Sequence, residues 1–308
     1  MSVLREHAEQ YLAMRRSMGF KLERAGRLLS DFVAYTQTAG LSTVTVVGAL
    51  RWARQPADVS EVWVAQRLSV VRGFARYLCV LDPQAEAIPA DLLPAQPRRV
   101  TPYVYSDTDI TTLIEQARLL PHPLKAATFA TLLGLLAVTG LRGGEAMRLD
   151  RDDFDAAGQL LSVRATKFGK SRPVPLHQTT VAALQEYGTV RDRLCPSPAT
   201  ASLFVSTTGA RLCHAVVQPT FRDLLRRSGI TGTPSGAQPR VHGLRHSFAV
   251  ATLVRWYRDG VDVQARMPLL SGYLGHVDPG ATYWYLTGVP DLFARAADRL
   301  QAIFEDRT

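Results

Sequence analysis

The sequence has little cysteine, little lysine and no long apolar run. Its three cysteines, Cys79, Cys195 and Cys213, lie far apart without metal-binding spacing, and their odd number argues against a disulfide framework. The first residues carry charges throughout, unlike a signal peptide, and the most apolar stretch, residues 126–138, is too short to cross a bilayer. We therefore expect reduced cysteines and a cytoplasmic protein.

Arginine supplies most of the positive charge. The chain has 36 basic and 27 acidic residues, a net charge of +9, and only four of the basic residues are lysine. The planar guanidinium group suits phosphate oxygens, so such a surface attracts polyanions. A GC-rich genome would also favour arginine over lysine, and charge alone therefore does not decide the function.

The length and the apolar pattern indicate two domains. A chain of 308 residues with 46% hydrophobic content can build a core in each. Apolar residues recur at helical spacing up to about residue 93, and the prolines between residues 83 and 97 then interrupt the pattern. We predict a helical domain over 1–95, a linker over 96–104 and a second domain over 105–308. The predicted helices of the first domain cover residues 4–18, 25–38, 44–53 and 59–81.

The last of these helices carries arginines among apolar residues. Arg67, Arg72 and Arg76 are predicted to face outward while the apolar residues face the helical bundle. An outward basic face is either simply solvated or lies against a nucleic-acid backbone.

The second domain is predicted to be mainly helical with a small sheet. Ser106 is a candidate helix cap, and an almost wholly apolar helix covers 123–139. Two strands over 160–166 and 171–176 form a hairpin, and a short strand follows at 203–206. Further helices are predicted at 179–190 and 216–228.

The residues best suited to catalysis lie between 238 and 286. His242, Arg245 and His246 open a helical run, His276 follows a Leu-Gly pair, and Tyr285 stands nine residues later. Arginine donates to phosphate oxygens, imidazole can exchange a proton, and a tyrosine hydroxyl can act as a nucleophile. This combination suits covalent chemistry on a phosphodiester.

The ordered motifs HGLRH, LGH and a tyrosine nine residues later resemble the tyrosine recombinases, the phage-integrase family. The upstream TGLRGGE and TKFGKSRPVPL stretches also resemble motifs of this family. The TYWYL motif resembles that of integrase-like transposases of mobile elements more than that of the branch that resolves chromosome dimers. The resemblance implies an N-terminal helical core-binding (SAM-like) domain and a C-terminal α+β catalytic domain. It also implies site-specific cutting and rejoining of DNA through a 3′-phosphotyrosine, without a cofactor.

The resemblance assigns six catalytic residues. It implies that two arginines bind the phosphate, two histidines donate hydrogen bonds or accept the tyrosine proton, a hairpin lysine protonates the leaving oxygen, and a tyrosine is the nucleophile: Arg142, Arg245, His242, His276, Lys167 and Tyr285. Lys170 and Arg172 occupy other basic positions of the family and are predicted to contact backbone phosphates.

Several alternatives to these assignments remain open. Lys170 has the same chemistry as Lys167, and Tyr283 is a rival nucleophile. His242 and His246 are four residues apart and could bind one metal ion from the same face of a helix. There is no HExxH pattern, however, and Arg245 lies between them, so no metal is predicted.

The residues around Arg142 also leave two questions. Glu145 is predicted to buttress Arg142 or to cap the next helix. Gly143 and Gly144 weaken a helix by roughly 1 kcal/mol each relative to alanine, which leaves the local geometry of Arg142 undecided.

Three functions are compatible with the sequence. The first is a recombinase for integration or transposition of a mobile element, the second a type IB topoisomerase-like relaxase, and the third an inert DNA-binding accessory protein. The resemblance implies double-stranded DNA as partner, a nucleoid location and a homotetramer on DNA, with the free protein a monomer or weak oligomer and partner recombinases as a further option. An amphipathic segment after Tyr285 is expected to pack on its own domain or on a neighbouring protomer.

Overall fold

The computed structural model describes residues 3–55, 60–93, 102–164, 171–234, 236–276, 278, 280, 282 and 283. The chain divides into two compact units, Met1–Arg99 and Val100–Thr308, each considered by itself below. Lys167, Lys170, Tyr285 and the segment after Tyr285 lie outside the described residues. Within the described part of the chain, no helix has the length and apolar character needed to cross a membrane. All three cysteines are free thiols.

The first unit contains the four predicted helices. They are α1 (Val3–Ser17), α2 (Glu23–Thr38), α3 (Val46–Arg54) and α4 (Glu61–Leu78). The side chains of Thr45 and Ser60 accept hydrogen bonds from the third backbone N–H beyond them and so fix where α3 and α4 begin. The inner faces of the four helices form one core that includes Leu29, Phe32, Trp52 and Phe74.

The prediction that Arg67 faces outward from α4 is wrong. This side chain is only 6% exposed. Its guanidinium lies 3.8 Å from the centre of the Trp52 ring and donates hydrogen bonds to the Trp52 carbonyl and to Asp31. The reason is helical spacing, because Arg67 lies three residues after Val64 and four before Val71, inside the buried stripe. Arg76, nine residues further on, is exposed as predicted.

The second unit begins with a helical hairpin. Helix α5 (Asp107–Arg118) starts at a capping box in which the side chains of Ser106 and Asp109 each accept from the other's backbone N–H. Helix α6 (Pro123–Thr139) is buried along most of its length and ends at Gly140, whose φ of 61° suits glycine. Helix α7 (Gly143–Arg148) follows directly.

A three-stranded antiparallel sheet comes next, in the order β1-β2-β3. Strands β2 (Leu160–Val163) and β3 (Arg172–Pro175) are the predicted hairpin, with Leu161 opposite Val174. Strand β1 (Phe154–Asp155) was not predicted, since two residues carry no alternation to detect. The predicted fold class, mainly α with a small sheet, is confirmed.

The strand predicted over 203–206 is not formed. The structure has only isolated bridges there, between Asp150 and Ser202 and between Val205 and Arg211. The buried Arg191 guanidinium takes the carbonyls of Ser202 and Leu203 as acceptors, and these carbonyls therefore bind a side chain where a strand would pair them with another strand.

Four more helices complete the described part of the second unit. They are α8 (Gln178–Leu194), α9 (His214–Arg227), α10 (Val241–Arg258) and α11 (Val263–Leu274). Leu253 of α10 and Met267 and Leu274 of α11 are buried in a shared cluster, which sets α11 against α10. At the start of α10, Gly243 lies so close to Tyr105 that a Cβ would stand 2.7 Å from its ring. These contacts fix the first turns of α10 within the unit.

Candidate active site

The first two turns of α10 carry three of the polar residues singled out above. Arg245 points into the protein and is 1% exposed, while His242 is exposed at the surface. His242 and His246 are one helical turn apart, and their rings meet edge to face with centroids 4.7 Å apart. The helix thus presents two imidazoles beside a buried guanidinium.

Arg245 is held by the ends of two other helices. Its Nη1 donates to the carbonyl of Gly140 at 2.8 Å, and its Nη2 donates to the carbonyl of Leu274 at 2.7 Å. These carbonyls terminate α6 and α11, where a helix carries partial negative charge. The guanidinium is therefore stabilised in a fixed position although it is removed from water.

Arg142 lies at the start of α7 and reaches the same helix end. Its Nη2 donates to the carbonyl of Gly275 at 3.0 Å, next in the chain to the carbonyl bound by Arg245. Its side chain is 33% exposed, so the group remains open to solvent on one side. The two arginines, 103 residues apart in sequence, are thereby brought to neighbouring acceptors.

Glu145 both buttresses Arg142 and caps α7. Its Oε1 accepts from Arg142 Nη1 at 2.8 Å, and its Oε2 accepts from the backbone N–H of Arg142 at 3.0 Å. Burial would raise the pKa of this carboxyl, but hydrogen bonds from Arg172 and Arg142 outweigh burial and lower the pKa to about 2. The cap also explains why a helix forms at Gly143 and Gly144 despite their weak propensity.

Arg172, at the start of β3, joins this cluster. Its Nη1 and Nη2 donate to the two oxygens of Glu145 at 3.3 and 2.9 Å, and its Nε donates to the carbonyl of Tyr273 at 2.8 Å. In the structure a buried carboxylate binds the guanidinium, and the predicted contact with a backbone phosphate stays a prediction. The sequence carries no signal for this pairing, since 27 residues separate the two partners.

His276 follows the end of α11. Its Nδ1 lies 2.6 Å from the hydroxyl of the buried Thr282, a partner that sequence reasoning missed. Burial, followed by the charges of Arg245 and Arg142, lowers the pKa of His276 to about 4. The same two causes lower the pKa of His242, where surrounding protein atoms partly desolvate an otherwise exposed ring.

His246 is the most strongly shifted of the three histidines. Burial and its neighbours His242 and Arg245 lower its pKa to about 3. All three imidazoles are therefore neutral at pH 7.

Four of the six predicted catalytic residues thus meet around the end of α11: Arg142, His242, Arg245 and His276. The other two, Lys167 and Tyr285, lie outside the described residues, and the rival Tyr283 is exposed. A separate cavity of about 350 Å³ between α5, α6 and α8 contains none of these residues. The assembled site combines fixed cations with neutral proton acceptors, which is what an anionic substrate undergoing proton transfer requires.

The chain is similar in sequence to known proteins. The sequence profile of the "Phage integrase family" matches residues 106–288. The chain is 42% identical to "Putative integrase/recombinase y4rB" of Sinorhizobium fredii over the full length of both chains. It is 33% identical to "Tyrosine recombinase XerD" of Mycobacterium tuberculosis, covering 74% of this chain and 70% of the relative.

Solved structures show the same fold. The Tn1549 transposon integrase in complex with transposon right end DNA aligns with a TM-score of 0.64 at 16% identity, over 96% of this chain and 99% of that one. A XerH site-specific recombinase bound to palindromic difH substrate aligns with a TM-score of 0.62 at 19% identity, over 89% and 78% of the two chains.

Proposed function

The chain belongs to the phage integrase family of tyrosine recombinases, and we propose that Tyr285 is its nucleophile and that the cluster at the end of α11 binds the phosphate it attacks. The protein is a tyrosine-type site-specific recombinase that acts on DNA. The observation that carries the site assignment is the convergence of Arg142 and Arg245 on the adjacent carbonyls of Gly275 and Leu274.

The reaction is a pair of transesterifications. The Tyr285 oxygen attacks the phosphorus, a P–O bond to the tyrosine forms, and the bond to the 5′ oxygen breaks, leaving a 3′-phosphotyrosine and a 5′-hydroxyl. A 5′-hydroxyl from another strand then attacks the phosphotyrosine and releases Tyr285. Each step exchanges one phosphodiester for another, so no energy source is needed.

The two arginines stabilise the transition state. Negative charge grows on the non-bridging oxygens, and guanidinium groups already held in place meet it without reorganisation. Arg245 is oriented by two helix ends and Arg142 by Glu145. Removal of one such donor typically lowers a rate by about 10² to 10³.

The histidines serve as proton acceptors for the phenol. Neutral imidazole can accept a proton, and burial together with the charges of Arg245 and Arg142 lowers the pKa of His276 to about 4 in the absence of DNA. An anionic phosphate between the arginines offsets those charges, so DNA binding raises this pKa toward the useful range. With Nδ1 engaged by Thr282, Nε2 is the nitrogen we assign to the reaction. Lys167 protonates the departing 5′ oxygen.

The helical domain predicted over residues 1–95 is assigned to DNA binding, and the domain over residues 105–308 to catalysis. A homotetramer on two DNA sites brings four such centres together, and we assign the activity to integration or transposition of a mobile element. The relatives named integrase/recombinase and the DNA-bound integrase of a transposon support this assignment.

The test is covalent trapping. Parent protein incubated with genomic DNA fragments is expected to form an adduct that survives denaturation, and sequencing of the attached ends identifies the cleaved site. A nicked duplex of that site then serves as substrate for Tyr285→Phe and for its matched control, Tyr283→Phe.

Tyr285→Phe is expected to abolish the adduct, and Tyr283→Phe is expected to retain it. The reverse result would transfer the nucleophile to Tyr283. Absence of any adduct would leave an inert DNA-binding protein, and relaxation of supercoiled DNA without strand exchange would indicate a topoisomerase.

A further inference from the structure

Three guanidinium groups bind the last turn of α11. The carbonyls of Tyr273, Leu274 and Gly275 accept, respectively, from Arg172 Nε at 2.8 Å, Arg245 Nη2 at 2.7 Å and Arg142 Nη2 at 3.0 Å. The last carbonyls of a helix have no intrahelical donor and carry partial negative charge. This helix end therefore sets three cations side by side, and only two of them have a role in the reaction proposed above.

The third cation is joined to the first through one carboxylate. Both oxygens of Glu145 accept from Arg172, and the same two oxygens accept from the side chain and the backbone of Arg142. Exposure increases along this series, from 3% for Glu145 and 12% for the Arg172 side chain to 33% for the Arg142 side chain. Arg172 and Glu145 thus form a buried support beneath an arginine that is open to solvent.

The backbone is adapted to this support. Gly275 has a φ of 68°, and a Cβ at this position would lie 2.8 Å from Arg172 Nη1 and 3.0 Å from its Cζ. Any side chain here would displace the guanidinium from its present position. The close approach of Gly275 and Arg172 therefore requires glycine for two separate reasons.

We infer that Arg172 is a positioning residue, which acts through Glu145 to place the Arg142 guanidinium against the reacting phosphate, and that it does not bind phosphate itself. The inference rests on the proposed role of Arg142. Without Arg172, Glu145 is left with Arg142 as its cationic partner in this cluster and draws that guanidinium inward. A displacement of about 1 Å at a reacting centre can cost about 10²-fold in rate.

The first measurement is the single-turnover rate of adduct formation on a nicked cleavage site at saturating protein. Arg172→Gln and Arg172→Lys are compared with Arg151→Gln, since Arg151 makes a similar two-point pair with Asp192 on the exposed surface. We expect both Arg172 variants to react at least about tenfold more slowly, since lysine cannot reproduce a two-point contact. Arg151→Gln is expected to stay within about twofold of the parent. Parental rates in both Arg172 variants would overturn the inference.

The second measurement is the dependence of DNA affinity on salt concentration. A phosphate contact contributes about 0.9 to the slope of log affinity against log salt. Arg172→Gln is expected to keep both the affinity and the slope of the parent. A slope reduced by about 0.9 would mean that Arg172 contacts phosphate directly, contrary to the inference.

The third measurement is a double-mutant comparison with Arg142→Ala. If Arg172 acts through Arg142, adding Arg172→Gln to Arg142→Ala slows the reaction little further. Losses that multiply would mean that the two arginines act independently. Thermal melting identifies any variant that fails to fold. If Arg172→Gln fails to fold, Arg172→Lys carries the test.

The controls also separate this inference from the proposed function. If Arg142→Ala reacts at the parental rate, the assignment of Arg142 is wrong. If Arg142→Ala is slow while the Arg172 variants are fast, only the role of Arg172 is wrong.

Discussion

Buried arginines in both units are bound by backbone carbonyls. Arg67 binds the carbonyl of Trp52, Arg191 those of Ser202 and Leu203, and Arg245 those of Gly140 and Leu274. A planar guanidinium can reach two acceptors at fixed angles, whereas the ammonium of lysine is a strongly hydrated point charge. At these three positions the preference for arginine has a structural reason, whatever the base composition of the gene.

The histidines near the site make stability depend on pH. His246 and His276 have folded pKa values of about 3 and about 4, below the usual value of 6.5. Below pH 6.5 the unfolded chain therefore binds protons that the folded chain does not, so stability is fully present above pH 6.5 and falls as the pH drops toward 4.

Urea unfolding at pH 7.5, 6 and 5 checks this prediction. We expect the free energy of unfolding to fall by up to about 2 kcal/mol per shielded histidine between pH 7.5 and 5. His246→Gln is expected to show a smaller fall than the parent, because it has one fewer group to protonate. The pH range stays above 4.5, the ordinary pKa of a glutamate carboxyl, so the contribution of Glu145, whose folded pKa is about 2, is retained throughout. An identical fall in both proteins would contradict the assignment to His246.

At the scale of the elements, the ends of helices organise the site. Helix α6 ends at Gly140 and α11 ends at Gly275, both with positive φ, and the carbonyls at these ends bind Arg245 and Arg142. Because the left-handed cap turns the chain sharply, the carbonyls of the cap residues lack intrahelical donors and remain accessible to side-chain donors. The motifs TGLR and LGH therefore contain a helix end next to a reactive side chain in each case.

Gly140→Ala tests the importance of one such end. Its matched control is Gly260→Ala, which also has positive φ (69° against 61°) but nothing within 4 Å of the added Cβ. The left-handed conformation alone costs alanine about 1 to 2 kcal/mol, which is the loss expected for Gly260→Ala in chemical denaturation. At Gly140 the Cβ would lie 2.5 Å from the Phe248 ring, so a larger loss of stability and slower adduct formation are expected. Equal losses of stability in the two variants would show that the Phe248 ring moves away from the added Cβ without a cost in free energy.

At the scale of the whole molecule, the net charge of +9 governs the encounter with DNA. Binding to duplex DNA releases counterions in proportion to the phosphates neutralised. For about 6 to 10 phosphate contacts, affinity is expected to fall about 10³- to 10⁵-fold between 50 and 200 mM salt. Fluorescence anisotropy with a labelled cleavage-site duplex and with a random duplex of the same length gives the two slopes. An affinity independent of salt would contradict an electrostatic contribution to DNA binding.

Regular spacing made much of the fold predictable. The four helices of the first unit, the Ser106 cap of α5, the buried helix α6 and the β2-β3 hairpin follow from local patterns, and the structure confirms them. Strand β1 was not predicted, because a two-residue strand has no period. The irregular segment around Ser202 and Leu203 was not predicted either, because its conformation depends on hydrogen bonds from Arg191, eleven residues before Ser202. The inward orientation of Arg67 was not predicted, because arginine usually faces solvent although this position lies inside the buried stripe of α4.

By itself, the sequence determined the family, the chemistry of the side chains and the order in which they occur, because motif spacing and helical periodicity are local properties. The tertiary structure alone decided which of these side chains meet. It placed Arg142 and Arg245 on adjacent carbonyls, paired Arg172 with Glu145 and set Thr282 against His276. These contacts depend on how α6, α7, β3, α10 and α11 pack, and they join residues up to 133 positions apart, which no local pattern encodes.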